Sequence, residues 1–513
     1  MLFNSYPFIL IFLPVVLLAY FQLARLGHVH AAGFLTLASL FFYGYWSPAY
    51  VGLLSGSIAC NYLFGSCIAK STGKRVFSPE RLLFLAISAN LLLLAYYKYA
   101  NFFLSSVNSV AGSHLSLGEI ILPLGISFFT FTQITFLVDT YRGKVKEYRF
   151  IHYALFVTYF PHLIAGPILH HKEMMPQFAR AVTYRFSYEN MAVGCTIFFI
   201  GLFKKVVLAD GVSPYVESVF GAPARGLQLS FLEAWVGAIS YAMQLYFDFS
   251  GYSDMAIGLS RMFGVILPLN FASPYKAANI IDFWRCWHMT LSRFLRDYVY
   301  IPLGGNRMGK SRRYTNLMVT MTLGGLWHGA GWTFVVWGAL HGVYLAINHA
   351  WHSLRRQFGQ DPQQPLSLPA RICATLLTFA SVTVAWVFFR ADSFDTALKI
   401  VASMFGGNGV SLPDFMLPVL GEVGQWLAAH GVPFSAGNQL GSGRQIIWIV
   451  LLLSIVWAAP NTQQLLRDYR PALDVSESVR ASCRLLWKPQ LGWLLLVSAM
   501  ALLSLALMPG AGG

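Results

Sequence analysis

Long apolar runs recur from one end of the chain to the other, and they limit its fold more than any other feature. A helix needs about 17–25 apolar residues to cross roughly 30 Å of hydrocarbon. Clear examples span residues 7–24, 82–97, 446–459 and 491–508. Roughly 11–13 segments approach this length, several of them shortened or interrupted by glycine and proline. The sequence therefore predicts an all-α fold, a polytopic helical membrane protein.

The composition and the lack of repeats point the same way. Of 513 residues, 56% are hydrophobic and only 11% are charged, whereas a soluble protein carries about 25% charged residues. The amino terminus has no basic region, so we expect the first apolar run to be a retained anchor rather than a cleaved signal peptide. We predict a single membrane domain over 1–513, with a core at 120–350 and more diverged helices at 372–513.

The net charge of +15 indicates basic cytoplasmic loops and no nucleic-acid partner, because cytoplasmic loops of membrane proteins are rich in Lys and Arg. Placing these loops inside puts the amino terminus outside. The clusters are Lys70/Lys74/Arg75/Arg81, Arg142/Lys144/Lys146/Arg149, Arg307/Lys310/Arg312/Arg313 and Arg467/Arg470/Arg480/Arg484. The cysteines are scattered without a C-x-x-C pair, so we predict neither disulfides nor a metal site.

Residues 304–311, GGNRMGKS, match the phosphate-binding loop pattern G-x-x-x-x-G-K-S. That loop requires a preceding strand, a following helix and a parallel sheet that holds both. No soluble stretch of this chain is long enough to supply such a sheet. We therefore interpret the match as a glycine-rich basic loop on the cytoplasmic face.

Residues 280–301 alternate polar and aromatic side chains with helical spacing. At 100° per residue, Arg285, His288, Ser292 and Arg296 share one stripe, and aromatic residues gather opposite. This pattern predicts an amphipathic helix at the membrane interface. On this pattern alone, His288 is equally well a solvated interfacial histidine.

The segment Lys276–Arg313 holds eight basic residues against two acidic ones. Two interpretations stay open for it. It is a positive-inside signal that also contacts anionic lipid, or it binds the phosphates of a cofactor.

His328 lies roughly 20 Å along a membrane-entering segment that starts at Arg313, counting about 1.5 Å per helical residue. The nearby glycines make an uninterrupted helix unexpected there: Gly324, Gly325, Gly329 and Gly331. An ionisable residue at such depth is a functional candidate, and the alternative is a structural histidine bonded to a neighbouring helix. For two further carboxylates in apolar surroundings, Asp248 and Asp254, we expect structural pairing with Arg261 and other basic side chains.

Three strings carry a family resemblance: YFDFSGYSDMAIG (246–258), FWRCWHMTLSRFLRDYVYIPLGGNR (283–307) and GGLWHGAGWTFVVWGALHG (324–342). They resemble the membrane-bound O-acyltransferase family, and within it the bacterial alginate O-acetyltransferase-like branch, over roughly residues 1–400. The resemblance implies re-entrant and interfacial helices around a central funnel or tunnel. Two departures are Cys286, where the branch has a basic residue, and the carboxyl-terminal LMPGAGG, which lacks the usual aromatic ending.

The resemblance also implies an activity and its site. An acetyl group would pass from a cytoplasmic thioester, acetyl-CoA, across the membrane to an exported or cell-surface polysaccharide. The near-invariant histidine of the family falls on His328, which as a neutral imidazole would be the general base, and the second falls on His288, which would orient the donor. The donor's phosphates would contact Arg285, Arg293, Arg296, Arg307, Lys310, Arg312 and Arg313.

The implied setting is the inner membrane of a bacterium, with membrane lipid around a multi-pass chain. Expected partners are the polysaccharide acceptor, reached directly or through a periplasmic SGNH-type acetyltransferase, and a polysaccharide synthase or export complex. Two alternatives stay open. One is a D-alanyl-type acyltransferase that uses the phosphopantetheine of a carrier protein, and the other is a non-enzymatic polysaccharide transporter.

Overall fold

The computed structural model describes 1–70, 78–145, 147–164, 166–361, 364–435, 439, 443–473 and 485–508. Among these residues the secondary structure is almost wholly helical, and the only strands are β1 (Leu412–Pro413) and β2 (Phe434–Ser435), which pair in parallel. The predicted all-α fold is confirmed. The carboxyl-terminal LMPGAGG lies outside the described residues from 509 onward. So do five residues of the predicted basic clusters: Lys74, Arg75, Lys146, Arg480 and Arg484.

The chain divides into two compact units that alternate along the sequence. The first comprises Met1–Phe203, Gly251–Asn270 and Thr462–Gly513, and the second comprises Lys204–Ser250 and Phe271–Asn461. The prediction of a single domain, with its core at 120–350 and diverged helices at 372–513, stays a prediction.

The helices of the first unit are α1 (Leu13–Ala24), α2 (His28–Gly44), α3 (Ala49–Lys70), α4 (Pro79–Leu94), α5 (Ala100–Ala111), α6 (Ile126–Tyr141), α7 (Phe150–Thr158), α8 (Phe160–Leu163), α9 (His171–Phe178) and α10 (Tyr188–Phe203). Those that follow are α11 (Asp210–Phe220), α12 (Phe231–Met262, which contains a unit boundary), α13 (Ile280–Cys286), α14 (Met289–Leu295), α15 (Lys310–His328), α16 (Trp332–Gln357), α17 (Leu368–Arg390), α18 (Phe394–Met404), α19 (Met416–Leu420), α20 (Glu422–Ala429) and α21 (Gly443–Ala458) in the second unit, then α22 (Thr462–Leu465) and α23 (Leu491–Leu507) in the first.

Within the described part of the chain, five helical segments are long and apolar enough to cross a membrane: Pro7–Ala24, Ala49–Lys70, Pro79–Ala111, Tyr188–Arg225 and Leu368–Arg390. Two shorter apolar helices, α21 and α23, accompany them. The helices α12 and α16 are also long, but they carry polar side chains along their length. The multi-pass character is confirmed, and the number of roughly 11–13 segments stays a prediction.

In the first unit, small residues allow α10 to approach the end of α12 closely. A Cβ atom on Gly201 would lie 2.5 Å from the carbonyl oxygen of Gly251, and such glycine contacts are a common device for packing membrane helices. Asp254 and Arg261 have other partners than each other. Asp254 accepts a hydrogen bond from the Thr462 hydroxyl at 2.6 Å, and Arg261 pairs with Glu189 at 3.5 Å.

In the second unit, α15 and α16 form a closely packed antiparallel hairpin. Its helices approach at Gly325 and Gly338, where added Cβ atoms would lie 2.2 Å and 2.4 Å from backbone oxygens of the facing helix. The expectation that glycines interrupt the helix near His328 is confirmed for Gly329 and Gly331, which lie between the end of α15 at His328 and the start of α16 at Trp332, and is wrong for Gly324 and Gly325, through which α15 continues. The glycines serve the close packing, and the chain reverses direction after His328.

Candidate functional site

His328 is the last residue of α15, and aromatic rings surround its imidazole. The ring centroids of Trp327, Trp337 and Phe389 lie 4.9, 5.2 and 5.2 Å from that of His328. The side chain is half-buried. The hairpin positions it, since the glycine contact between α15 and α16 brings Trp337 against the end of α15. The site therefore offers one accessible imidazole with apolar walls.

His288 lies between α13 and α14, and it is completely buried. Its backbone has a φ of 42°, in the left-handed region that L-residues adopt at a cost. The predicted continuous amphipathic helix over 280–301 is therefore wrong. The chain turns sharply at His288, which moves the imidazole away from the stripe that it would share with Arg285, a residue whose side chain is 73% exposed.

This turn brings two predicted site residues together. The ring centroids of His288 and His328 lie 6.2 Å apart, and the Phe249 ring packs against His288 at 4.8 Å. The helices α13 and α14 have seven residues each, too few to span a membrane. Burial lowers the pKa of His288 well below its usual range, and the nearby His328 imidazole lowers it further. His288 is consequently neutral at pH 7.

A third histidine, His341 on α16, belongs to the same aromatic cluster, and sequence reasoning missed it. His341 is completely buried. Its Nδ1 accepts a hydrogen bond from the indole N–H of Trp284 at 3.3 Å. Its ring lies 4.9 Å from that of Trp337, which also contacts His328. The available signal was its spacing, four residues after Trp337 on one helix, which places both on the same face.

The predicted phosphate-binding residues are spread over α13, α14, the helical turn that follows α14, the loop before α15 and the first turn of α15. Arg285 pairs with Asp282 at 2.9 Å and Arg296 pairs with Asp297 at 2.7 Å, so both charges are partly compensated. Arg293 is half-buried on α14. The remaining four lie in the loop before α15 and in its first turn, where three are exposed and Arg313 is half-buried: Arg307, Lys310, Arg312 and Arg313.

The end of α16 adds further basic groups that the sequence did not single out. His349 lies within electrostatic range of Arg313 of α15, Arg285 of α13 and Arg356 of its own helix. Three helices thus converge on one positively charged surface at the start of α15. At the start of α15, Lys310 lies 18 residues before His328, a rise of roughly 27 Å along the helix.

The geometry around residues 304–311 is that of a loop without a supporting sheet. A helical turn, Arg296–Tyr300, precedes it where a phosphate-binding loop needs a strand. The Asn316 amide donates hydrogen bonds to the carbonyl oxygens of Leu303 and Gly305 at 3.1 and 2.9 Å. This side chain occupies the inside of the turn and holds the loop against α15. The interpretation as a glycine-rich loop is confirmed.

Comparison with known proteins adds independent findings. A family model described as the membrane-bound O-acyltransferase family matches residues 16–388. The "Peptidoglycan O-acetyltransferase" of Helicobacter pylori is 46% identical over 80% of this chain and 81% of its own length. The "Probable alginate O-acetylase AlgI" of Azotobacter vinelandii is 41% identical over 81% of this chain and 80% of its own. The "Teichoic acid D-alanyltransferase" of Bacillus subtilis is 28% identical over 53% of this chain and 69% of its own.

Proposed function

This chain belongs to the membrane-bound O-acyltransferase family, and from that premise we propose that it passes an acetyl group from cytoplasmic acetyl-CoA to a hydroxyl of an exported or cell-surface polysaccharide. It is an O-acyltransferase of the type that modifies polysaccharide or peptidoglycan. Relatives at 46% and 41% identity carry the names of a peptidoglycan O-acetyltransferase and an alginate O-acetylase. The choice of donor and acceptor is the proposal.

One observation carries the proposed mechanism, the half-buried imidazole of His328 within 6.2 Å of the buried imidazole of His288, centroid to centroid. His328 takes the proton of the acceptor hydroxyl, and the oxygen attacks the thioester carbonyl. The tetrahedral intermediate then collapses to the new ester. The carbon–sulfur bond breaks, and the departing thiolate recovers the proton from His328. The aromatic walls exclude the water that would otherwise hydrolyse the thioester.

His288 orients the donor in this mechanism. It is neutral at pH 7, so one ring nitrogen is a hydrogen-bond donor toward the thioester carbonyl. Its left-handed backbone fixes the direction of the ring, and the edge of the Phe249 ring supports that orientation. Fixed geometry of this kind contributes to catalysis because the reacting groups need no rearrangement.

The basic surface at the start of α15 suits the phosphates of acetyl-CoA. Arg307, Lys310 and Arg312 are exposed there, and guanidinium groups bind phosphates with paired hydrogen bonds. The donor would then extend its long pantetheine arm toward His328. This arrangement requires no metal ion, because the imidazole and the fixed dipoles supply the acid–base chemistry.

The proposed setting is the inner membrane of a bacterium, where the donor is inside and the polymer leaves on the other side. There the acceptor is either the polysaccharide itself or a periplasmic SGNH-type partner that completes delivery, next to a polysaccharide synthase or export complex. A carrier-protein phosphopantetheine donor is the second candidate, favoured by the 28% identity to a D-alanyltransferase. The peptidoglycan and alginate relatives cover far more of this chain, so we place acetyl-CoA first.

The decisive experiment is His328→Ala, with acetate per sugar and total polymer measured on secreted material. We expect normal polymer yield with acetyl transfer reduced about 100-fold or more, the usual contribution of a positioned base. His30→Ala, at an exposed position at the start of α2, is the matched control and should be silent. Full acetylation in the His328→Ala strain would exclude this residue as the base. Loss of polymer export together with acetate would favour a transporter.

A further inference from the structure

A groove with a volume of about 540 Å³ lies between α10 and α23, on the surface of the first unit. Its lining residues recur with helical spacing on each helix, so the groove follows one face of both. Small side chains form much of its floor: Ala192, Cys195 and Thr196 on α10, and Val497, Ser498 and Ala501 on α23. Larger side chains at these positions would close the space between the two helices.

The groove is long and narrow. On α23 its lining runs from Leu491 to Ala501, a rise of roughly 15 Å. A volume of about 540 Å³ over this length gives a mean cross-section of roughly 36 Å². A helix about 10 Å across has a cross-section of roughly 80 Å². The groove therefore accommodates an extended chain but not a further helix.

The two helices that form the groove are apolar and belong in the membrane. The segment Tyr188–Arg225, which begins with α10, is long and apolar enough to span it, and α23 is a shorter apolar helix. Beside the groove, Leu494 and Leu495 are 63% and 61% exposed. Lipid tails are as apolar as leucine, so acyl chains cover these side chains in a bilayer and can enter the groove.

One end of the groove carries a cation between two indole rings. Lys488, which lines the groove, is exposed and lies shortly before the start of α23. Trp487 and Trp493 also line this end, and the Trp493 indole N–H donates a hydrogen bond to the carbonyl oxygen of Leu486 at 3.2 Å. Tryptophan is enriched at the depth of the lipid headgroups. This end of the groove therefore lies at headgroup level.

Further positive charge gathers at the same end. The Arg261 guanidinium links the starts of the two helices, because it contacts Glu189 of α10 at 3.5 Å and donates to the carbonyl oxygen of Tyr469 at 3.2 Å. The Tyr469 ring in turn packs on that of Trp487 at 4.9 Å. Glu189 and Asp468 carry negative charge here, and each is paired with an arginine. Exposed cations outside those two pairs add to the positive charge: Arg185, Arg470 and Lys488.

We propose that this groove binds one anionic phospholipid, with an acyl chain between α10 and α23 and the phosphate on Lys488. A lysine ammonium binds phosphate as a compact charge with three hydrogen-bond donors. The predicted cytoplasmic position of Arg467 and Arg470 places this end in the leaflet that carries anionic lipid. A zwitterionic phospholipid fits the same groove but gains less from the basic end, so net negative charge is the basis of selection.

The thiol of Cys195, which lines the groove, reports whether the groove is occupied. In the full-length protein the other five cysteines are replaced by serine, and the rate of reaction with N-ethylmaleimide is measured in nonionic detergent. Phosphatidylglycerol at about ten times its Kd should slow the reaction about tenfold, because about one groove in ten then stays open. Phosphatidylcholine with the same acyl chains should require about fivefold more lipid, the effect of one basic residue at a lipid surface.

Two substitutions separate the role of charge from that of shape. Lys488→Ser should raise the phosphatidylglycerol concentration for half-protection of Cys195 about fivefold and leave that for phosphatidylcholine unchanged. Ser498→Phe, at an exposed position in the groove, should fill it, and native mass spectrometry should then detect one fewer retained phosphatidylglycerol. The matched controls are Lys70→Ser, at the exposed end of α3, and Leu495→Phe, on α23 but outside the groove lining.

Three outcomes overturn the proposal. Equal affinity for the two lipids, or an unchanged affinity for phosphatidylglycerol in Lys488→Ser, excludes selection of an anionic lipid. The same number of retained lipids in Ser498→Phe and Leu495→Phe excludes the groove as the place of binding. A second copy or another protein that Ser498→Phe releases, in place of lipid, assigns the groove to a protein partner. None of these measurements depends on acetyl transfer, so they succeed or fail independently of the proposed function.

Discussion

The backbone of His288 is strained, and at the scale of single residues this is the feature that shapes the site. A φ of 42° costs an L-residue roughly 1–2 kcal/mol relative to glycine. The surrounding aromatic rings and the chain on both sides hold the residue in this state. Such strain persists where it sets a functional group in position.

A pair of substitutions separates this strain from the role of the imidazole. His288→Gly and His288→Ala both remove the ring, but only the alanine keeps a Cβ in the left-handed region. We expect the glycine variant to be more stable than the alanine variant by about 1 kcal/mol, measured by thermal unfolding in detergent. Acetyl transfer should fall in both. If the alanine variant is as stable as the glycine variant, or more stable, the backbone at position 288 is not strained.

Among the elements, the α15–α16 hairpin is the one whose packing determines the site. Gly338 has no room for a side chain, since a Cβ would lie 2.4 Å from the carbonyl oxygen of Met321. Any separation of the helices at this point moves Trp337 away from His328. The surroundings of the His328 imidazole therefore depend on a contact that lies about two turns from it along α15.

Gly338→Ala should destabilise the protein by about 1–3 kcal/mol, the usual cost of overpacking, and should lower acetyl transfer because the aromatic enclosure opens. Gly52→Ala on α3 is the matched control, since nothing lies within 4 Å of its added Cβ. That variant should be neutral or slightly stabilised, as alanine favours a helix more than glycine does. Thermal unfolding and initial rates measure both effects, and identical behaviour of the two variants would contradict the close contact.

The loop before α15 and the first turn of α15 form the second element of the candidate site. The role of their positive charge can be tested. Reversal of Arg312 and Arg313 to glutamate should weaken use of acetyl-CoA and reduce the salt dependence of its KM, because screened attractive charges are removed. Arg467→Glu, in a different basic cluster and paired with Asp468 at 3.5 Å, is the control. If the KM and its salt dependence do not change, the basic residues of the loop serve only to orient the chain in the membrane.

For the whole molecule, the proposed function depends on the separation of the two ends of α15. Basic residues gather at its start, and His328, next to His288, lies at its other end, roughly 27 Å away along the helix. Donor and acceptor are expected to enter from different sides. The family membership and the apolar spans support a chain that crosses the membrane repeatedly.

Proteoliposomes with one predominant orientation measure this directly. Acetyl-CoA supplied on the side of the basic loops and oligosaccharide on the other side should give transfer, and reversal of the two compartments should give none. The physical reason is that neither acetyl-CoA, which carries charged phosphates, nor the oligosaccharide, which carries many hydroxyl groups, crosses the bilayer unaided. Transfer that requires both substrates on one and the same side would contradict the opposed entry routes.

Hydropathy and motif strings by themselves determined the class of fold, the family and His328 as the central candidate. These are properties of the local sequence. The length of an apolar run indicates whether it can span a membrane, and a histidine flanked by glycine and tryptophan is recognisable as a short motif. The same local reasoning extended a helix through His288, which was wrong, and it expected Gly324 and Gly325 to interrupt α15 as Gly329 and Gly331 do, although the helix continues through the first pair. Helical periodicity assumes a regular backbone, so it misses a left-handed residue and cannot distinguish a glycine that breaks a helix from one that packs it.

Only the tertiary structure decided which distant residues share the site. It turned His288 inward to His328, placed His341 and Trp284 in the same cluster, and selected Lys205 among the basic side chains as the partner of Asp248. Each of these contacts joins residues that lie about 40 or more positions apart, beyond the reach of periodicity within one helix. They form because close glycine packing and the cost of unpaired charge in an apolar surrounding select one arrangement of the helices.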